Sequence, residues 1–178
     1  KFQFNDVEGQ YLEYKQSMFS PDLKKIKSPA PPGTDPHKRQ VRALNDSLID
    51  EILSTVCAFL NTNDGVLYIG VDDKSRQIVG LSDDRNSDVF KKKKSDEFKY
   101  PLYTEFQEKY KIKILQLMGK RINNFDQSYV EDIRYLVPGY GKDDNGDNID
   151  VLCIPCKKIP SDKPAVYLRI LDGDGKIR

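Results

Sequence analysis

Apolar residues at helical spacing run from Leu48 through Ile49, Ile52, Leu53, Val56 and Cys57 to Leu60. So wide a stripe predicts a helix central to the core. Asn45, Asp46 or Ser47 can cap its start, with Asp50 and Glu51 in the first turn. The helix runs into Asn61-Thr62-Asn63-Asp64-Gly65, all turn formers, and then into an apolar strand, Val66 to Val71, that ends on Asp72 and Asp73. A buried strand closing on two acids puts negative charge at the rim of a core, where water or a metal ion must offset it. The spacing further predicts a turn over 72–77 and a second strand, Ile78 to Leu81, making a hairpin.

Toward the N-terminus, Tyr11 to Lys15 reads as a strand with Leu12 and Tyr14 on one face and Tyr11, Glu13 and Lys15 on the other. Glu8 is an odd number of residues from Glu13, so a continuous strand would separate them. Gly9 can break that strand and bring Glu8 back to the same side. Residues 17–44 carry Pro29, Pro31, Pro32, Gly33 and Pro36 among Lys24, Lys25, Lys27, Lys38, Arg39 and Arg42, which predicts a long basic loop. Leu102, Phe106, Tyr110, Ile114, Leu117 and Met118 predict a second amphipathic helix ending near Ile122. Strands 130–137 and 149–154 are expected to pair around the Gly/Asp-rich connection 138–148, with a further strand over 165–171. The expected class is therefore α+β: a mixed, mostly antiparallel sheet packed with two main helices. One domain over 1–178 is expected, with a Pro-rich basic insertion at about 18–44 and a charged insertion at about 82–101.

Composition narrows the chemistry. A net charge of +1 over 178 residues excludes a strongly basic protein, so any nucleic-acid affinity must come from local patches. Lys91 to Lys94 is one such run, readable as a solvated face or as phosphate contacts. No apolar run is long enough to span a membrane. The chain opens on Lys1 without a signal-like segment, which points to a piece of a longer protein. Three cysteines, Cys57, Cys153 and Cys156, suit a reducing, cytoplasmic compartment rather than a disulfide framework. A four-ligand zinc site would have to recruit all three and the single histidine, His37, so structural thiols are the better reading.

A serine triad has only His37, in a predicted loop, to draw on. Gly139-Tyr140-Gly141-Lys142 lacks the spacing of a phosphate-binding P-loop. Counting twelve from Asp143 reaches Ile154 rather than the glutamate of a calcium loop, and the chain ends too soon after Asp172. What remains is a carboxylate constellation, Glu8, Glu13 and Asp73 (or Asp72), with Lys15 beside Glu13. Oxygen ligands of this kind suit Mg²⁺ or Mn²⁺, and a nearby lysine can stabilise charge developing on a phosphate.

The run Glu8-x-x-x-x-Glu13-Tyr14-Lys15 is followed by Ala58-Phe59-Leu60-Asn61-Thr62 and by Gly65-x-x-x-Ile69-Gly70-Val71-Asp72-Asp73, then by Ile78-Val79-Gly80. This order resembles the core of the Schlafen family, also described as an AlbA-like or "AAA-4" DNA-binding module. The segment Val151 to Tyr167, with Pro155, Pro160 and Lys163-Pro164, resembles the closing strands of that module. The resemblance implies two catalytic glutamates, Glu8 and Glu13, an aspartate, Asp73, and a basic residue, Lys15. It implies Mg²⁺ or Mn²⁺ held by the three acids. The family's vertebrate zinc site has no counterpart, since Asn123-Asn124-Phe125 holds no ligands and only Cys156 approximates the later cysteine pair. The vertebrate nucleases fold two such lobes into a clamp. This chain resembles the short, single-lobe members, which implies a second Schlafen-like subunit or a second copy as partner. Short members of this kind assemble into the nuclease that trims the 5′ ends of piRNA precursors.

The leading expectation is a metal-dependent endoribonuclease subunit, with RNA phosphates gripped by Lys24, Lys25, Lys38, Arg39, Arg42 and Lys91, Lys92, Lys93 and Lys94. The alternatives are a non-catalytic nucleic-acid-binding module and a structural subunit that completes a partner's active site.

Overall fold

The computed structural model describes residues 8–26, 29–90, 103–136, 142 and 149–169. The runs Lys91–Lys94 and 143–148, the turn at 172–175 and the ends of the strands expected over 130–137 and 165–171 lie outside the described residues.

Strand β1 (Leu12–Lys15) is followed by helix α1 (Asp35–Thr62) and strand β2 (Gly65–Ile69). The short helix α2 (Ser82–Arg85), helix α3 (Tyr103–Arg121) and strand β3 (Ile122–Asn123) come next. Strands β4 (Arg134–Leu136), β5 (Val151–Cys156) and β6 (Tyr167–Leu168) complete the order. The main sheet runs β1-β2-β5-β4, with β3 and β6 pairing as a separate ribbon. β1 lies parallel to β2, and every other pairing is antiparallel. The architecture is the expected α+β one, a mixed and mostly antiparallel sheet with two main helices.

The side-chain alternation of the strands divides the core. Leu67 and Ile69 of β2 and Leu152 and Ile154 of β5 face α1, where Ile52, Leu53, Val56 and Leu60 are fully buried. Tyr14, Val71 and Val151 form a second cluster, in which the Tyr14 and Tyr68 rings stack at 5.8 Å. α3 adds Phe106, Tyr110, Ile114 and Met118 to the larger core. Gly65 is required where the chain turns from α1 into β2, because a Cβ there would overlap the buried Phe59 ring.

Three expectations are corrected. α1 starts at Asp35, ten residues inside the predicted loop: the Thr34 side chain accepts from the His37 N–H, and Pro36 sits in the first turn. Proline there loses no helical hydrogen bond, so a residue that marks a loop elsewhere begins a helix here. The hairpin expected over 78–81 shrinks to one bridge, Val71 to Ile78, because Gly70 and Gly80 turn the backbone at φ +103° and +76°. The strand expected from Val130 is a 3₁₀ turn, Gln127–Val130, that precedes the shorter β4.

Candidate functional site at the β1–β2 rim

Parallel pairing is what assembles the site. In the β1/β2 register Leu12 lies opposite Val66 and Lys15 opposite Ile69. The Gly70 and Val71 N–H groups both donate to the Lys15 carbonyl, at 2.8 and 3.2 Å. Two parallel strands end on the same side, so Glu13 and Lys15 come to the rim from which Asp72 and Asp73 emerge. A cavity of about 510 Å³ opens there, lined by Lys15, Glu51, Asp72, Asp73, Lys24 and Lys25 among others.

Lys15 is the charged centre of this rim. Its ammonium lies 2.7 Å from a Glu13 carboxylate oxygen and 2.7 Å from one of Glu51, on α1. Burial pushes the ammonium down, but hydrogen bonds and charge from Glu13 and Glu51 exceed that effect and the net shift is upward. Lys15 is therefore cationic at neutral pH.

The acids divide by role. β1 is an edge strand, and an edge leaves backbone N–H groups without a ladder partner. The Glu8 carboxylate fills one such vacancy by accepting from the Tyr14 N–H at 2.7 Å. The chain does reverse at Gly9, which pairs with Leu12 through two backbone bonds, and that reversal carries Glu8 back to β1. Asp72 accepts from the Ser75 N–H at 2.7 Å and so closes its own turn. The hydroxyl and backbone bonds of Ser75 hold its carboxyl below the usual range. Asp73 is exposed at the rim.

Among the described residues no group of three or more His, Cys, Asp or Glu side chains comes together as a metal-holding set. Glu8 is spent on the backbone, and an ammonium sits on Glu13. The donor arrangement at this rim thus does not match a three-carboxylate ion site.

Of the cationic residues read from sequence, Lys24 and Lys25 line the cavity on a 3₁₀ turn capped by Asp22. Lys38, Arg39 and Arg42 lie on the exposed first turns of α1, away from the cavity lining. The first buried residue of α1 is Ile49, so these three ride on an arm that extends beyond the core. The Ala30 N–H braces the arm by donating to Gln40 at 3.0 Å. His37 belongs to its first turn. The three cysteines are buried free thiols. Burial pushes Cys57 up to about 11 and Cys156 up to about 12, which keeps both protonated and inert.

Two residues escaped the reading of the sequence. Glu51 was placed in a helix first turn, and nothing local announces a partner 36 residues away. Asp84, within the charged stretch after Leu81, is fully buried. It accepts from the Ser17 and Tyr110 hydroxyls and from the Met18 and Phe19 N–H groups, the latter at 2.9 and 2.8 Å. That knot fixes the chain leaving Lys15, which forms one wall of the cavity.

The turn motif after α1 is structural. Asn61 exchanges two hydrogen bonds with the backbone of Val166, at 2.7 and 3.0 Å, and Asp64 accepts from the Lys158 N–H at 2.7 Å. Both fasten the closing segment to the end of α1.

A family model described as Schlafen, AlbA_2 matches residues 8–136. The chain belongs to the Schlafen AlbA_2 family. No curated protein gives a significant match. The Schlafen match spans Glu8, Glu13, Lys15, Asp72 and Asp73, and it ends at the last residue of β4. The family suggests a nucleic-acid-binding or nuclease-like function and includes nucleases. Among the described residues of this Schlafen domain, no helix is long and apolar enough to cross a membrane.

Proposed function

We propose that this domain binds RNA across the β1–β2 rim and acts as an endoribonuclease subunit, working with another Schlafen-like subunit or a second copy of itself. The observation that carries the reading is the parallel register that gathers Glu13, Lys15, Asp72 and Asp73 at one rim. A lysine held at 2.7 Å from two carboxylates is a pre-oriented donor for a phosphate oxygen on which charge develops. Lys24 and Lys25 would contact the phosphates on either side, and Lys38, Arg39 and Arg42 would extend the grip along α1. Trimming of small-RNA precursors is one substrate class within this reading.

Among the described residues the acids do not form a three-carboxylate cage. Mg²⁺ or Mn²⁺ commonly binds through one or two carboxylates together with substrate phosphates, so metal dependence is part of the proposal and is read directly by assay. Labelled RNA is incubated with the protein, alone and with Schlafen-like partners, in EDTA or Mn²⁺. Cleavage that needs the ion and is lost in Glu13→Ala and Lys15→Met, with circular dichroism unchanged, is the expected result. Cleavage that survives in Glu13→Ala overturns the assignment.

The engagement of Glu8 with the backbone and of Lys15 with two acids favours a second reading, a nucleic-acid-binding module without catalysis. Its signature is binding that falls with salt, ignores divalent ions and produces no cutting.

A further inference from the structure

The Lys15 ammonium is already taken in the resting structure. It has three N–H donors, and two of them point at Glu13 and Glu51, each 2.7 Å away. The three side chains together carry a charge of −1, and Asp22, Asp72, Asp73 and Asp83 line the cavity along with Lys24, Lys25 and Lys74. A phosphate approaching Lys15 therefore meets a negative group. The third N–H offers a phosphate a single bond beside two carboxylates, so fuller engagement of the ammonium needs one of them to yield, and the two differ in how easily they can.

Glu13 belongs to the same strand as Lys15, two residues before it, and its side chain is 27% exposed. Glu51 comes from α1, lines the cavity and is 56% exposed. An ion pair with one partner half in water costs little to open, because water replaces the lost contact. The released Glu51 can swing into solvent without leaving its helix. Glu13 would have to surrender the more sheltered contact.

We infer that Glu51 is a charge gate on Lys15, holding the ammonium while the cavity is empty and yielding it to an entering phosphate. Glu51 is thus a positioning residue that sets how tightly the site takes a phosphodiester. The inference rests on the phosphate-binding role of Lys15 proposed above. When Glu51 swings into water, a phosphodiester takes its place beside Lys15 and Glu13, so the ammonium exchanges one anionic partner for another. Neutralising Glu51 removes the competitor and one like charge, which at close range and near-aqueous screening corresponds to roughly threefold to tenfold in affinity.

The test uses four versions of the full chain: wild type, Glu51→Gln, Lys15→Met and the double variant. Gln keeps the size and helix preference of Glu at an exposed helical position, so folding is retained and is checked by circular dichroism. Inorganic phosphate is titrated while the backbone amide resonances of Gln16 and Ser17 are followed by NMR. RNA binding is measured in parallel by fluorescence anisotropy in EDTA. Glu51→Gln is expected to bind phosphate and RNA roughly three to ten times more tightly than wild type, and most of that gain should vanish in the Lys15→Met background. No gain in phosphate affinity, or an equal gain with and without Lys15, overturns the gate. Loss of all RNA binding with the phosphate result intact would instead remove the RNA reading and leave the gate standing. RNA binding by wild type with no Lys15-dependent gain in Glu51→Gln would do the reverse.

Discussion

Replacing Asp84 with asparagine isolates the knot that holds the cavity wall. One carboxylate oxygen accepts from the Ser17 hydroxyl and the Phe19 N–H, and the other from the Met18 N–H and the Tyr110 hydroxyl. In asparagine one of these oxygens becomes an NH₂ group, which donates. Whichever oxygen is lost, its hydroxyl partner can rotate and accept, but its backbone N–H partner cannot. One buried N–H is therefore stranded, at a cost of about 1–3 kcal/mol. Asp84→Ala strands both N–H groups and both hydroxyls and opens a void, so its cost is greater, about 3–5 kcal/mol. Burial pushes the Asp84 carboxyl up despite its four donors. A raised carboxylate contributes most when protonated, so the stability lead of wild type over Asp84→Asn should narrow as pH rises from the ordinary value of 3.8 through the raised one. Urea unfolding of both variants and wild type between pH 4 and 8 measures these differences. An Asn variant within about 0.5 kcal/mol of wild type at every pH would show that water reaches Met18 and Phe19, and would refute the closed knot.

Other outcomes follow from single contacts. Gly65→Ala forces the Phe59 ring from its place and should destabilise by about 1–3 kcal/mol in urea unfolding, whereas Gly9→Ala, where nothing lies within 4 Å, should cost far less. The folded Lys15 pKa lies above its ordinary 10.5, so the stability advantage of wild type over Lys15→Met is complete below pH 10.5 and lost as pH climbs through the raised value. Alkaline melting curves of the two proteins read it. Arg39→Ala, on the exposed arm of α1, should leave the melting temperature unchanged and reduce the slope of log Kd against log salt for RNA by about 1. Thr34→Ala removes the cap of that arm and should cost about 1 kcal/mol or less, since the first turns are unburied.

Periodic features were readable from the chain because packing follows them. The stripe Ile49 to Leu60 is buried as the spacing predicts, and the Val66 to Val71 run enters the middle of the sheet. The start of α1 was misplaced because Pro36 was weighed as a loop former rather than as a first-turn residue. The hairpin failed because alternation says nothing of the positive φ at Gly70 and Gly80. At the rim, the neighbourhood of Glu13, Lys15, Asp72 and Asp73 was legible only through the ordered motif, since parallel pairing joins residues more than fifty positions apart. Glu51 and Asp84 carry no local sign of their partners. Their partners are set by how α1 packs beside β1 and how α2 packs against α3 and the chain after β1, which no spacing rule encodes. The backbone role of Glu8 was hidden in the same way, since it depends on β1 being an edge strand.

The most direct test of the nuclease reading is the cleavage of labelled RNA by the protein with a Schlafen-like partner, comparing wild type with Glu13→Ala in Mn²⁺ and in EDTA. Cutting by wild type that disappears in both the variant and the chelator is the predicted result. Binding without cutting under every pairing, or cutting that Glu13→Ala leaves intact, would contradict it.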